Sequence, residues 1–395
     1  MPYTGPEPAR RPLSSDDITD GIISTADLAD SAVTTAKITN NAVTAAKVSS
    51  DVSQLGKNLI QNGSMAVAQR GATITSPTNA ITLDRWHAQV SGAAAITVSQ
   101  DTGVAGSGFA YRLKVDCTTA DASIAASDRV HIRQVIEAQN LQHLEYGDAS
   151  AKTITLSFRV SSPKSGTHCV ALYQADGARS YIREYTVTSA DTEELITVTF
   201  PGDPSGTINN DNGEGLYVTF PLIAGTDYQA AADGWAAGFD FATSNQQNLL
   251  DDTANNFYIT GVQLEIGSVA TDFEHEDYGT TLAKCHRYFW RWKVQSNASQ
   301  LFAITSHNSS TNCIFQVSPP QPFRAQPSTA VSDMAHILVA DGANVNKTFT
   351  GQAGYRGADG TIVIQLTGGT GLTTGAGYAY RDASDALYWD FDAEL

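Results

Sequence analysis

The chain has 395 residues, 24 Lys and Arg against 41 Asp and Glu, a formal charge of −17 and 42% hydrophobic residues. That balance argues against a nucleic-acid partner or an anionic membrane surface, and no apolar run approaches the roughly 20 residues of a membrane helix. The length suits two or three domains.

Residues 1–15 read as an extended arm. Pro2, Pro6, Pro8 and Pro12 keep it out of helix interiors and central strands. Arg10 and Arg11 form a positive pair in an acidic chain. No apolar stretch follows them, so the segment is not a secretory signal. Such an arm can order in a groove of an acidic partner, and export, if any, is expected through assembly into a particle.

Residues 16–56 repeat every ten residues: "GIISTADLAD", "SAVTTAKITN", "NAVTAAKVSS". Apolar residues recur in register at Ile23, Leu28, Val33, Ile38, Val43 and Val48, with alanine at 26, 36 and 46. Their spacing of five fits neither the helical nor the strand period. So few apolar side chains do not offset the entropy of ordering a single chain. The repeat therefore reads as a stalk wrapped around copies of itself, with an Ala/Thr/Ser-rich linker as the alternative.

From 57 to 277 short alternating runs dominate, among them "FAYRLKVDC", "TITLSFRV", "HCVALYQ", "YIREYTVT", "LITVTF", "GLYVTF" and "NFYITGVQLEIG". In 153–160, Ile154, Leu156, Phe158 and Val160 share one face. The pattern predicts a mainly β chain with an antiparallel β-sandwich or jelly roll. Next, "YGTTLAKCHRYFWRWK" (278–293) predicts one linking helix, capped by Thr280 or Thr281, with a stripe of Leu282, Cys285, Phe289 and Trp292. Residues 294–395 return to β patterning and predict a second, smaller β-sandwich. Cys117, Cys169, Cys285 and Cys313 are far apart, without CxxC spacing, and read as buried free thiols.

Several segments together carry a family resemblance. "NLIQNGSMAVAQRG" (58–71), "DRW" (84–86) and "FYITGVQLEIGSVATDFEHEDYGTTLAKCHRYF" (257–289) resemble a recurrent module of tailed-bacteriophage tail-fibre and other virion proteins. "PPQPFRAQPSTAV" (319–331) and the terminal "DAEL" resemble the domain that often follows it, and the ten-residue repeats resemble the fibre repeats that often precede it. The resemblance implies a virion appendage with an attachment end, a homotrimeric stalk and distal β domains, the first a jelly-roll sandwich like a carbohydrate-binding module. It implies no defined catalytic or ligand residue.

The module's motifs have framework readings: a tight turn at Asn62-Gly63, an aromatic anchor at Trp86, and pairs of Glu265 and Glu274 with Arg70 or Arg85 tying the first strand to the last. His275 among Glu274, Glu276 and Asp277 reads as a solvated turn, because helical HExxH spacing is absent. "NNDNGEG" (209–215) fails the twelve-residue calcium pattern and reads as a polar loop. No nucleophile elbow appears. Glycoside hydrolysis needs paired carboxylates; Asp240 with Asp251 or Asp252 are candidates, but no long β-helix repeat accompanies them. No cofactor or metal is expected. Sugar recognition needs a ring to stack on and polar groups to fix hydroxyls, and the candidate residues are Tyr228, Trp235 and Asp240, in a stretch that also holds Asp233 and Phe239; the alternative places Trp235 and Phe239 in the sandwich core, and the tip of the C-terminal domain is an equal candidate for host contact. The expected function is a non-enzymatic virion tail fibre adhering multivalently to a host-surface glycan or protein, bound to other virion proteins through its arm. The alternatives are a capsid-mounted head fibre and a polysaccharide depolymerase.

Overall fold

Alternating side chains become two facing sheets in the computed structural model, which describes residues 57–75, 77–293, 301–307, 309–341, 345–356, 360–370, 372, 375–381 and 387–395. Arg10 and Arg11 of the arm, and Ile23, Leu28, Val33, Ile38, Val43 and Val48 of the repeat, lie outside the described residues.

Thirteen strands form the first sandwich: β1 (Thr73–Thr75), β2 (Asn79–Ile81), β3 (Trp86–Ser91), β4 (Ala95–Thr102), β5 (Tyr111–Thr119), β6 (Arg129–Glu137), β7 (Ile154–Ser161), β8 (Gly166–Gln174), β9 (Arg179–Val187), β10 (Glu194–Phe200), β11 (Glu214–Ala224), β12 (Trp235–Ala237) and β13 (Asn256–Ile266). One sheet runs β1-β4-β5-β13-β7-β10 and the other β12-β9-β8-β11-β6-β3-β2. The strand pairs of both sheets are antiparallel. Ile154, Leu156, Phe158 and Val160 of β7 point into the core, as expected from their period of two. They meet Val130 and Ile132 of β6 and Val218 and Phe220 of β11. Phe158 sits edge-on to Phe220 and Tyr185, at 5.1 and 5.2 Å between centroids. Burying each such side chain contributes about 1.5–3 kcal/mol.

The predicted turn at Asn62-Gly63 is present. Asn62 adopts φ 54°, and its amide donates to the carbonyls of Val67 and Asp84, both at 2.9 Å. A Cβ at Gly63 would stand 2.1 Å from the carbonyl oxygen of Val262. Trp86 is the buried anchor, its indole donating to Asn62 O at 3.1 Å. The four cysteines are buried and free.

The predicted helix is cut short. Helix α1 spans Tyr278–His286 and is capped by Asp277, whose carboxylate accepts from Thr280 N, rather than by Thr280 or Thr281. Residues Phe289–Lys293 form a strand, β14, instead of two further turns of helix. The aromatic run is satisfied across a ladder: β14 pairs with β23 (Tyr388–Asp392), setting Trp292 opposite Trp389 and Trp290 opposite Phe391. Cross-strand aromatic pairs favour the extended form, and Leu282, Cys285, Phe289 and Trp292 do not make one helical stripe.

Between β14 and β23 lie β15 (Leu301–His307), β16 (Cys313–Val317), β17 (Ser328–Val331), β18 (Ile337–Asp341), β19 (Val345–Lys347), β20 (Gly351–Arg356), β21 (Ile362–Thr367) and β22 (Gly375–Arg381). A sheet β14-β23-β17 packs against a sheet β19-β18-β22-β15-β16-β21-β20. Their shared core includes Phe315, Ile364, Trp389 and Phe391, so this part is also a sandwich.

The expected ties of Glu265 and Glu274 to Arg70 or Arg85 are not made. Arg70 pairs with Asp392 at 2.9 Å and Glu394 at 3.3 Å, and Arg85 pairs with Glu394. Glu265 instead accepts from Thr271, and Glu274 from Asn58 N. The arginines therefore join the first sandwich to the chain's last residues, not its own first strand to its last. Arg70 and Arg85 also lie over the rings of Phe289 and Tyr288, at 3.6 and 3.5 Å.

Candidate ligand-binding face

Strand β6 reads "RVHIRQVIE". Its alternation sends Val130 and Ile132 into the core and Arg129, His131 and Arg133 to the outer face of the seven-stranded sheet. Register sets the transverse rows on that face. His87, Arg133 and Thr219 lie in one row across β3, β6 and β11; Gln89, His131 and Pro221 lie in the next.

The segment 226–243 straps this face. Phe241 N and Ala242 N both donate to Tyr228 O, and Gly238 N donates to Ala178 O at 3.0 Å. Phe239 and Phe241 bear on His131, at 6.3 and 4.9 Å. Phe239 also meets Tyr173 at 4.8 Å and Tyr217 at 6.1 Å, both edge-on. Tyr228 stacks on Phe241 at 5.3 Å. Arg133 lies over the Tyr217 ring at 4.7 Å and Arg129 over Tyr228 at 4.8 Å, donating to its hydroxyl. Tyr173, Tyr228, Phe239, Gln89 and both arginines are half-buried, so they form the surface of the face.

Several polar atoms here have no hydrogen-bond partner although they are buried: both ring nitrogens of His131, Nε2 of His87, Nε of Arg129 and Arg133, and Oγ1 of Thr219. A buried donor or acceptor left alone costs roughly 1–3 kcal/mol, and these six atoms lie on three adjacent strands. Burial, then Arg133 and Arg129, hold His131 well below the ordinary imidazole range. Burial and the nearby arginines bring His87 down to about 3. Both rings are therefore neutral near pH 7, each carrying one donor and one acceptor.

The structure divides the three expected ligand residues. Tyr228 and Asp240 belong to the strap; burial raises the Asp240 carboxyl above its usual range. Trp235 lies on β12 and packs against the main core, edge-on to Tyr146 and Tyr181 at 5.8 and 5.3 Å, with its indole donating to Pro201 O. It seals the sandwich rather than joining Tyr228. His87, Gln89, Arg129, His131, Arg133, Tyr173 and Tyr217 were not singled out from the sequence. The signal was available: a strand with two outward arginines, which turns out to lie inside a sheet.

The other candidates have framework partners. His275 packs on Phe109 and Phe273, Glu276 pairs with Lys284, and Asp277 caps α1. In the polar loop, Asp211 accepts from Gly213 N, and Asn212 O accepts from Arg324 Nε at 3.0 Å. Asp251 pairs with Lys164. A cleft of about 400 Å³ between the sandwiches is lined by Arg70, Arg291, Asp390 and Asp392. Its arginines are already engaged, Arg70 with Asp392 and Arg291 with Asp390 at 2.7 Å. Among the described residues no group of three or more His, Cys, Asp or Glu is arranged to hold a metal.

No family model and no curated protein matches the chain. Solved structures do. The enzymatically active domain of bacteriophage CBA120 tailspike protein 4 matches at 10% identity over 53% of this chain, with a TM-score of 0.30. This chain covers 22% of that one. A family 4 carbohydrate-binding module matches at 15% identity over 53% of this chain and 99% of its own, with a TM-score of 0.28. The family 11 module from Clostridium thermocellum matches at 13% identity over 52% of this chain and 99% of its own, with a TM-score of 0.25. All three TM-scores lie below 0.5, and the mainly β, sandwich architecture stands on this chain's own sheets and cores.

Proposed function

We propose that this chain is a virion tail fibre of a tailed phage, without hydrolytic activity, that holds a host-surface glycan on the outer face of its seven-stranded sheet. The observation that carries the binding reading is the combination of half-buried rings at Tyr173, Tyr228 and Phe239 with Gln89, Arg129 and Arg133 on one surface. Rings offer apolar planes for sugar faces, and planar polar groups fix hydroxyls. The virion setting is supported by the sequence resemblance, carried by segments spread from the ten-residue repeats to the last four residues. In this reading Arg10 and Arg11 seat the arm on another virion protein, and the repeat with Ile23, Leu28, Val33, Ile38, Val43 and Val48 trimerises the fibre. Three sites on one fibre raise the effective affinity without any strong single contact.

The test uses the full chain in a cell-adhesion assay, with Tyr173→Ala and Arg133→Ala as variants. Losing a contact of about 1.4 kcal/mol weakens each site about tenfold, so both variants are expected to release cells at concentrations where the parent holds them. Their thermal unfolding should stay near the parent's. Undiminished adhesion by both would place the ligand elsewhere. Release of reducing sugars in proportion to protein would overturn the non-enzymatic assignment.

A further inference from the structure

Most described arginines grip an acid. Arg70, Arg85, Arg112, Arg179, Arg287 and Arg291 each pair with Asp or Glu. In a chain of net charge −17, carboxylates are plentiful. Arg129 and Arg133 are exceptions: among the described residues neither has an ion-pair partner, and their guanidiniums are engaged by Tyr228 and Tyr217.

We propose that the saccharide bound on this face carries carboxylate groups, held by Arg133 and Arg129; the proposal rests on the glycan-binding reading above. The two residues sit four apart on β6, so their Cα atoms are about 13 Å apart along the strand. That separation lets each take a different acidic residue of one extended chain. The tyrosine rings orient the guanidinium planes, and a planar fork matches a carboxylate with two parallel hydrogen bonds. His131 lies between them, neutral and fully buried, so it does not compete as a cation. The acid that bears on Arg133 is Glu214, which accepts from the Tyr217 hydroxyl at 2.6 Å. It leaves Arg133 undercompensated: burial outweighs the pull of Tyr217 and Glu214 and lowers its pKa.

The experiment is calorimetric titration of the full chain with matched ligands. These are oligogalacturonate, an oligomer of sialic acid, the carboxyl-reduced form of each, and dextran sulfate. The expected result is binding of at least one acidic oligosaccharide, weakened at least tenfold by carboxyl reduction and by Arg133→Gln, and weakened by added salt. Equal binding of a reduced form would overturn the charge assignment and leave glycan binding standing. Dextran sulfate bound as tightly, and through Arg133, would replace carboxylate recognition by unspecific anion attraction. Binding of none of the acidic oligosaccharides would overturn the proposal. Cell adhesion separates it from the reading beneath it: loss of adhesion in Tyr173→Ala but not in Arg133→Gln would sink only the acidic saccharide.

Discussion

Arg85 shows how much one side chain can organise. It holds φ 74° and is buried, donating to Gln61 Oε1 at 3.1 Å, to the Val135 carbonyl and to Glu394, with Tyr288 stacked on its guanidinium. Removing one member of a buried pair leaves the other charge uncompensated, at about 3–5 kcal/mol. Arg85→Ala is therefore expected to lose that much in urea unfolding, and Glu394→Gln less, because the amide still accepts a hydrogen bond. A loss below about 1 kcal/mol in Arg85→Ala would remove the junction network from the account. The buried histidines give a pH signature. Burial, Arg133, Arg85 and Arg70 lower His87 to about 3, with Asp392 opposing, while the unfolded chain protonates its imidazole near 6.5. The unfolded state thus binds more protons below 6.5, so the stability this group contributes is lost as pH falls from there toward 3. Asp84 acts in the opposite sense. Burial pushes it from 3.8 to about 6 against Gln69 and Arg70, so its contribution falls as pH rises through that window. Asp84 is common to both chains in a comparison of His87→Gln with the parent. The variant should lose less stability between pH 7 and 4, and coincident slopes would contradict the neutral buried ring. At this scale "DRW" was legible as an anchor, while "DAEL" looked uninformative because its partners Arg70 and Arg85 lie some 300 residues away.

Elements were legible where one face repeats locally. The period of two in β7 and β13 predicted strands and their buried faces, and the cores follow it. The same logic misled at 278–293. Spacings of three and four among Leu282, Cys285, Phe289 and Trp292 fit a helix, but "FWRWK" also alternates, and the deciding contacts come from Trp389 and Phe391 about a hundred residues on. Arg291 completes the ladder through two 2.7 Å bonds to Asp390. Phe289 nonetheless ends fully buried beneath Arg70. Phe289→Ala is expected to cost about 3–5 kcal/mol in equilibrium unfolding; a cost near zero would put the ring at the surface. The proposed binding face is hard to read from sequence for a related reason. "RVHIRQVIE" shows an outward arginine pair, but only the order β8-β11-β6-β3 places it in the middle of a sheet and beside the strap.

For the molecule as a whole, residues Gln54–Leu395 form one compact unit, two sandwiches tied by Arg70, Arg85, Glu137, Arg287, Asp392 and Glu394. These ion pairs fasten the first sandwich to the chain's last residues and to the segment that leads into the second sandwich. Composition and charge pointed away from nucleic acid and membrane, and the described residues contain no helix long and apolar enough to cross a membrane. The site is the least legible feature, because it is made by register between strands rather than by any motif. Hydrogen exchange of the full chain, with and without the surface polysaccharide of the cells to which it adheres, tests the central claim most directly. The account predicts slowed exchange concentrated in β6, β11, β8 and 226–243. Protection confined to the C-terminal sandwich, with those segments unchanged, would contradict it.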